Sequence, residues 1–216
     1  MTRRRLLGAG ITAAVGASGA AAAARIARRY GLIPPGSAGV YGVGDTLTYA
    51  SQRILTTRGS RVREFSRSEI SRVAPVNGEP PESEEYERLG ADDFRDWRLH
   101  VDGLVERPGA FSLSELKRFP QHRQITAHAC EEGWSFIAEW TGVVLSSVLD
   151  HVGITPGARF VVLVPFDQYW DSIDMADALH PQTLLAYAMN DGDLPVAFGG
   201  PLRIRVPRQL GYKSVK

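Results

Sequence analysis

Cysteine is nearly absent from this 216-residue chain. Cys130 is the single one. An internal disulfide is therefore excluded, and so is a Cys-x-x-Cys zinc or redox pair. There is no Cys-x-x-Cys-His haem attachment site. Acidic residues are missing from positions 1–29, and charge of either sign is missing from Leu6 to Ala24. That stretch is rich in Gly and Ala and poor in Leu, Ile and Phe, so it makes a weak membrane span despite adequate length. No internal repeat is visible. A strong basic excess is missing as well. Six of the 25 Lys and Arg lie in residues 1–29, which leaves 19 basic against 24 acidic side chains, a balance of −5. Nucleic acid, which requires a basic face, is disfavoured as a partner.

The amino terminus carries Thr2-Arg3-Arg4-Arg5-Leu6-Leu7, then the uncharged stretch, then Arg25, Arg28 and Arg29. Paired arginines before a mildly apolar segment predict a twin-arginine export signal. Ala21 to Ala24 suit a small-residue cleavage site, and the alternative is an N-terminal anchor giving membrane attachment. The expected location is periplasmic or otherwise extracytoplasmic. That route carries folded proteins, commonly with a cofactor inserted. The expected organisation is a signal or anchor over 1–29, a linker and irregular segment over 30–60, and a folded domain over 61–216, truncated at its carboxyl end. Asn77 to Glu85 reads as a solvated acidic loop without chemistry.

Within the domain, Trp97-Arg98-Leu99-His100-Val101 alternates like a strand, and Asp102-Gly103 ends it. Ser112 caps a short helix that Pro120 closes. Gln124 to Ala129 predicts a strand that delivers Cys130 to its end. Val143 to His151 predicts a helix with Gly153 beyond it. Arg159 to Val164 predicts a buried strand, and Asn190-Asp191-Gly192 a hairpin turn within 186–196. Leu202, Ile204 and Val206 alternate with Arg203 and Arg205, a strand with one basic face; the period puts Arg205 on the side of Arg203, and the alternative for it is a plain surface charge. Strands and short helices without a βαβ rhythm predict an α+β fold with a mixed sheet.

The segment His128-Ala129-Cys130-Glu131-Glu132-Gly133-Trp134-Ser135 is polar and loop-like, which argues that the thiol is a chemical centre. As a nucleophile Cys130 would use His128, two residues away, as base. As a soft metal ligand it cannot hold a metal alone, so the remaining coordination must come from a cofactor, such as molybdenum on a pterin dithiolene. Such a group carries a phosphate, and Arg203, Lys213, Ser214 and Lys216 form a cluster suited to it.

Four blocks bring a resemblance into view: Arg63-Glu64-Phe65; Cys130-Glu131-Glu132-Gly133-Trp134-Ser135 with Trp140-Thr141-Gly142-Val143; Gly199-Gly200-Pro201-Leu202-Arg203; and Gly211-Tyr212-Lys213-Ser214-Val215-Lys216. Residues 61–216 resemble the molybdopterin-binding oxidoreductase domain of sulfite oxidases and of periplasmic protein-methionine-sulfoxide reductase catalytic subunits. The resemblance implies a sulfite-oxidase-type α+β fold and the molybdenum–molybdopterin cofactor. It implies Cys130 as the metal's thiolate ligand, with Ser60, Arg63, Glu64, Arg203, Ser214, Val215 and Lys216 in cofactor binding. His128 and Lys213 join that group as neighbours, and Tyr169 stands where sulfite oxidases carry an active-site tyrosine. Phe198 departs from a position often Asn or His, and Pro165 from one often Thr. The implied activity is two-electron oxygen-atom transfer on a sulfur-centred substrate, a small molecule or a protein sulfoxide. A separate haem or quinone-linked partner would exchange the electrons. Alternatives are a Cys130/His128 hydrolase and an extracytoplasmic binding domain that has lost its cofactor.

Overall fold

The computed structural model describes residues 43–55, 60–167 and 169–216, together with Ala22 and Arg25. The arginine-rich start and the Pro34-Pro35 linker lie outside the described residues. The chain divides into two units, Met1–Ser60 and Arg61–Lys216. In the first, α1 (Val43–Leu55) corrects the expectation that 30–60 is irregular. The segment contains no proline, and Arg53 Nε donates to Tyr49 Oη one turn earlier at 3.2 Å. Among the described residues no helix is long and apolar enough to cross a membrane.

The second unit is built on a five-stranded sheet. β3 (Gln121–Ala129) turns back as β4 (Ser135–Val144) in a nine-pair antiparallel ladder. β4 pairs with β7 (Leu184–Met189), and β7 carries both β8 (Gly192–Asp193) and β9 (Arg203–Arg205) on its other edge. Every strand pair named here is antiparallel, so the fold is α+β but the sheet is not mixed. For β3–β4 and β7–β8 the connections explain this, because tight turns can join only antiparallel neighbours. Asn190 (φ 50°) and Asp191 (φ 69°) take the left-handed conformations that a two-residue hairpin turn demands.

Gly142 sits where β4 shifts register against β7. A Cβ there would stand 2.1 Å from the Leu185 carbonyl oxygen, so only glycine lets the strands approach. Val143 and Val144 continue β4, and α4 (Leu145–Val152) therefore starts later than the helical spacing suggests. It buries Leu145, Val148, Leu149 and Val152 against one face of the sheet. Burying four such aliphatic side chains contributes roughly 6–12 kcal/mol, an upper figure. Gly153 (φ 71°) ends the helix in the left-handed region. A smaller cluster of Phe136, Ala138, Trp140, Leu184, Ala186, Met189 and Leu194 forms a second apolar layer.

Smaller elements surround the sheet. β1 (Leu99–Val101) and β2 (Gly109–Phe111) form one hairpin. α2 (Glu84–Ala91) and α3 (Leu113–Leu116) are capped by Ser83 and Ser112. Asp174 caps α5 (Met175–Ala178). β5 (Phe160–Leu163) pairs with β6 (Asp171–Asp174). β5 is not the buried strand expected over 159–164. Val161 and Leu163 pack on the core, while Phe160 and Val162 face out.

Candidate functional site

The β3–β4 turn places the thiol. Gly133 (φ 93°) permits a tight loop in which the Cys130 N–H donates to the Trp134 carbonyl at 2.9 Å. The cysteine side chain is buried at the floor of a cavity of about 250 Å³. Asn77 Nδ2 lies 3.6 Å from Sγ, and the thiol faces Glu131 Oε2 at 3.4 Å.

Another part of the lining comes from β9 and the segment 211–216. Arg203 is 5% exposed and Arg205 1%. Both guanidinium groups lie over the buried Trp140 ring, at 5.5 and 4.5 Å from its centre. Arg203 Nη1 donates to the Phe198 carbonyl at 2.9 Å, and Nη2 to the Ser214 carbonyl. Arg205 Nη1 donates to Ser214 Oγ at 3.0 Å and to His128 Nδ1 at 2.5 Å. Neither arginine forms an ion pair with a carboxylate among the described residues, and the Nε atom of each is buried without a partner. Burial lowers the Arg203 pKa to about 10. Burial, and then Arg203 beside it, lower that of Arg205 as well. Lys216 adds a third cation whose pKa is also lowered, by burial and then by Arg203. Its ammonium donates to the carbonyls of Asn77 and Ala197. Arg205 thus shares the face of Arg203, and the alternative that it is only a surface charge is overturned by its burial. Both basic side chains of β9 point inward, because Trp140 on β4 supplies a flat face for guanidinium groups.

His128 is buried, with Trp134 and Phe136 rings near it. Arg205 can only donate, so His128 Nδ1 accepts and the neutral ring carries its hydrogen on Nε2. Burial, then Arg205, Arg203 and Lys216, push its pKa down to about 3. A base serving Cys130 in hydrolysis needs a pKa near the working pH, which this ring lacks. Gly211 passes so close that a Cβ would meet His128 Nε2 at 2.8 Å.

Of the residues singled out from sequence, Cys130, His128, Tyr169, Arg203, Ser214, Val215 and Lys216 line one cavity. Tyr169 stands half-exposed at its lip, its hydroxyl donating to Asp171 Oδ2 at 3.3 Å. Partial burial and then Asp171 raise its pKa. The others lie elsewhere. Lys213 is held by Asp171 and the Ser172 carbonyl and does not line the cavity. Arg63 lies over the Phe65 ring and pairs with Glu69 at 2.8 Å. Glu64 accepts from Gln182 Nε2 at 3.0 Å and bridges to Thr126 on β3. Ser60 is the last residue of the first unit. Asn77, Gly78 and Glu79, assigned no chemistry from sequence, line the cavity together with Asp167 and Tyr212. Asn77-Gly78 is legible as a turn, but a turn signal does not say what the turn faces. Phe198 lines the cavity too and contributes its carbonyl to Arg203 in place of a polar side chain.

The donor set fits a large anionic group that brings its own metal coordination. No cluster of three or more His, Cys, Asp or Glu able to hold a metal occurs among the described residues. One soft thiolate faces buried cations that lack a counter-charge.

The family model for the oxidoreductase molybdopterin binding domain matches residues 87–216. The chain is 41% identical over 152 residues to a putative protein-methionine-sulfoxide reductase subunit, YedZ1, of Azospira oryzae, covering 70% of this chain and 56% of that protein. It is 35% identical over 136 residues to the protein-methionine-sulfoxide reductase catalytic subunit MsrP of Xanthomonas campestris pv. campestris, covering 56% and 42%. The chain thus spans about half the length of these curated relatives. Among solved structures, the sulfane dehydrogenase SoxCD of Paracoccus pantotrophus superposes with a TM-score of 0.54 at 27% identity, over 56% of this chain and 36% of that one.

Proposed function

This chain belongs to the oxidoreductase molybdopterin-binding domain family, and from that premise we propose that it is a molybdenum-dependent oxidoreductase acting on a sulfur-centred substrate. The single observation that carries the reading is that the only cysteine lines one cavity with the buried Arg203 and the half-buried Lys216, with Arg205 buried beside Arg203 over Trp140 and neither arginine ion-paired to a carboxylate among the described residues. The cofactor, when bound, supplies two-electron oxygen-atom transfer chemistry.

The chain's own groups do the rest. Cys130 supplies the thiolate ligand. Arg203 and Lys216, with Ser214 and Val215, hold the anionic part of the pterin by charge-assisted hydrogen bonds. Arg205 stands behind them, orienting Ser214 and fixing the His128 ring. The Tyr169 phenol is protonated at neutral pH as any ordinary phenol is, and its single O–H, which rests on Asp171, would turn to donate to substrate at the lip. Ser60, Arg63, Glu64 and Lys213 are assigned only a supporting place in cofactor binding, since none of the last three lines the cavity. The relatives named for methionine-sulfoxide reduction support a sulfoxide as substrate. The electrons are proposed to come from a separate haem or quinone-linked partner. Export by the twin-arginine route rests on Arg3 and Arg4, and their replacement by lysine should hold the protein in the cytoplasm.

Metal analysis tests the reading. Purified from a host that makes the cofactor, the protein should carry about one molybdenum per chain. Cys130→Ser should keep the fold and lose activity, because an alkoxide is a harder and poorer ligand than a thiolate. Full activity in Cys130→Ser would remove the assignment.

A further inference from the structure

The cavity has two electrostatic layers. Its inner wall holds Arg203 and Lys216, with Arg205 behind, and an unpartnered Arg203 Nε marks where negative charge is wanted. Its outer lining is of the opposite sign. Glu79, Glu131 and Asp167 all line the cavity and all are exposed. Glu132 follows Glu131 and accepts from the Trp134 indole at 2.8 Å. Lys213 is turned away onto Asp171, and Lys216, which feels Glu79 and Asp167, has its ammonium held on the Asn77 and Ala197 carbonyls without a carboxylate in salt-bridge contact among the described residues. Of the cavity-lining residues, only Arg203 and Lys216 are Lys or Arg, and both belong to the inner wall.

These layers serve different guests. An anionic cofactor seated on the inner wall covers its cations. A substrate that arrives afterwards meets three carboxylates and no exposed cation. Clefts lined by one sign of charge focus that field and change encounter rates by roughly 10- to 1,000-fold at low salt. We propose that Glu79, Glu131 and Asp167 form an anion-excluding rim. It restricts the site to uncharged or cationic S-oxides and rejects oxyanions such as sulfite. This rests on the oxidoreductase reading for its substrate chemistry, but the rim itself can be read without turnover.

Cys130, as the only cysteine, is a built-in probe of the local field. A methanethiosulfonate reagent forms a mixed disulfide with its sulfur and releases methanesulfinate. The full chain without cofactor would be treated with the anionic sulfonatoethyl reagent and the cationic trimethylammonioethyl reagent, and the ratio of the two rates taken. The combined Glu79→Gln, Glu131→Gln, Asp167→Asn variant should shift that ratio at least tenfold toward the anion at low salt. About 0.5 M salt should largely abolish the shift, since the Debye length is then only about 4 Å. A ratio that does not move overturns the rim, whatever reaction the protein performs.

The second arm uses the molybdenum-loaded protein and three sulfoxides that share one S=O group. They are N-acetylmethionine sulfoxide (anionic), its amide (neutral) and methionine sulfoxide amide (cationic). The expected kcat/KM for the anion is about tenfold or more below the other two in the parent, and nearly level with them in the variant. Equal values for all three in the parent overturn the rim. No turnover of any sulfoxide counts against the proposed reaction, and the thiol ratio alone then decides the rim.

Discussion

Arg203→Met isolates the charge that the site is built to receive. In the unloaded chain, Arg203 is a buried cation without a carboxylate. Burial lowers its pKa from the ordinary guanidinium range to about 10. The sign follows from that direction. A base whose folded-state pKa lies below its unfolded value opposes folding at every pH below the folded pKa. The penalty is relieved only as pH climbs from about 10 toward the higher, unfolded value. At pH 7 it is therefore fully present, at about 3 kcal/mol. Against it stand two hydrogen bonds, to the Phe198 and Ser214 carbonyls, together about 3 kcal/mol for a charged donor. Methionine fills similar volume and carries no charge. The two contributions nearly cancel, so Arg203→Met should change the unloaded stability by less than about 1 kcal/mol, or some 2–4 °C in Tm. With the anion in place the arithmetic differs. One charge pair at contact in a partly screened site is worth about 4 kcal/mol. The rise in Tm on loading should therefore shrink by roughly 8–16 °C in the variant. Urea or thermal unfolding of parent and variant, each with and without cofactor, measures all four values. Equal losses in the loaded and unloaded forms would refute the reasoning. So would a 3–5 kcal/mol loss in the unloaded chain, the value expected when a buried ion pair is broken.

Arg205→Ala should lower both stability, by about 2–4 kcal/mol, and molybdenum occupancy, since it strips the partner of His128 Nδ1 and Ser214 Oγ; calorimetry and metal analysis check both. Tyr169→Phe should leave molybdenum content unchanged and slow turnover per metal, because the hydroxyl stands at the lip of the cavity. Gly142→Ala should be the most damaging small change, at least about 3 kcal/mol and expressed as insoluble protein, because the added carbon meets backbone of β7 rather than a side chain that can move. Glu115 completes a capping box with Ser112, whose backbone N–H, then hydroxyl, hold its pKa below the ordinary 4.5. Its support of α3 is present above that value and fades as pH falls below it. Carboxyl NMR should show a midpoint under 4.5 in the parent and a return toward it in Ser112→Ala.

Local chemistry made part of this legible from residues alone. The Asn190-Asp191-Gly192 turn and the Ser112 cap depend on neighbours in sequence, and both stand where the pattern put them. The start of α4 was misjudged because Val143 and Val144 suit either element, and pairing with β7 decided for strand. β3 is legible as a strand over 124–129, but which of its faces is buried is not. Its inward residues Gln124, Thr126 and His128 are polar, so alternation does not mark a core face. At the site, the thiol and the 214–216 turn could be singled out by residue type. The burial of Arg205 could not, because a basic strand face normally faces water and here Trp140, far off in sequence, covers it. Asn77 was missed for want of any signal linking a polar turn to a cysteine 53 residues later.

The span of that last contact has a kinetic meaning. The cavity is closed by hydrogen bonds between residues 77 and 139 positions apart, Arg205 with His128 and Lys216 with Asn77. The β3–β4 ladder beneath it joins neighbours through a five-residue turn. Contacts between distant positions carry the larger loop-closure entropy and form late. The ladder can therefore stand while the cavity is still open. Amide exchange should be slow along β3 and β4 and faster around residues 77–79 and 211–216. A cofactor would then meet a half-built cradle and act as its last staple, completing the fold by arriving.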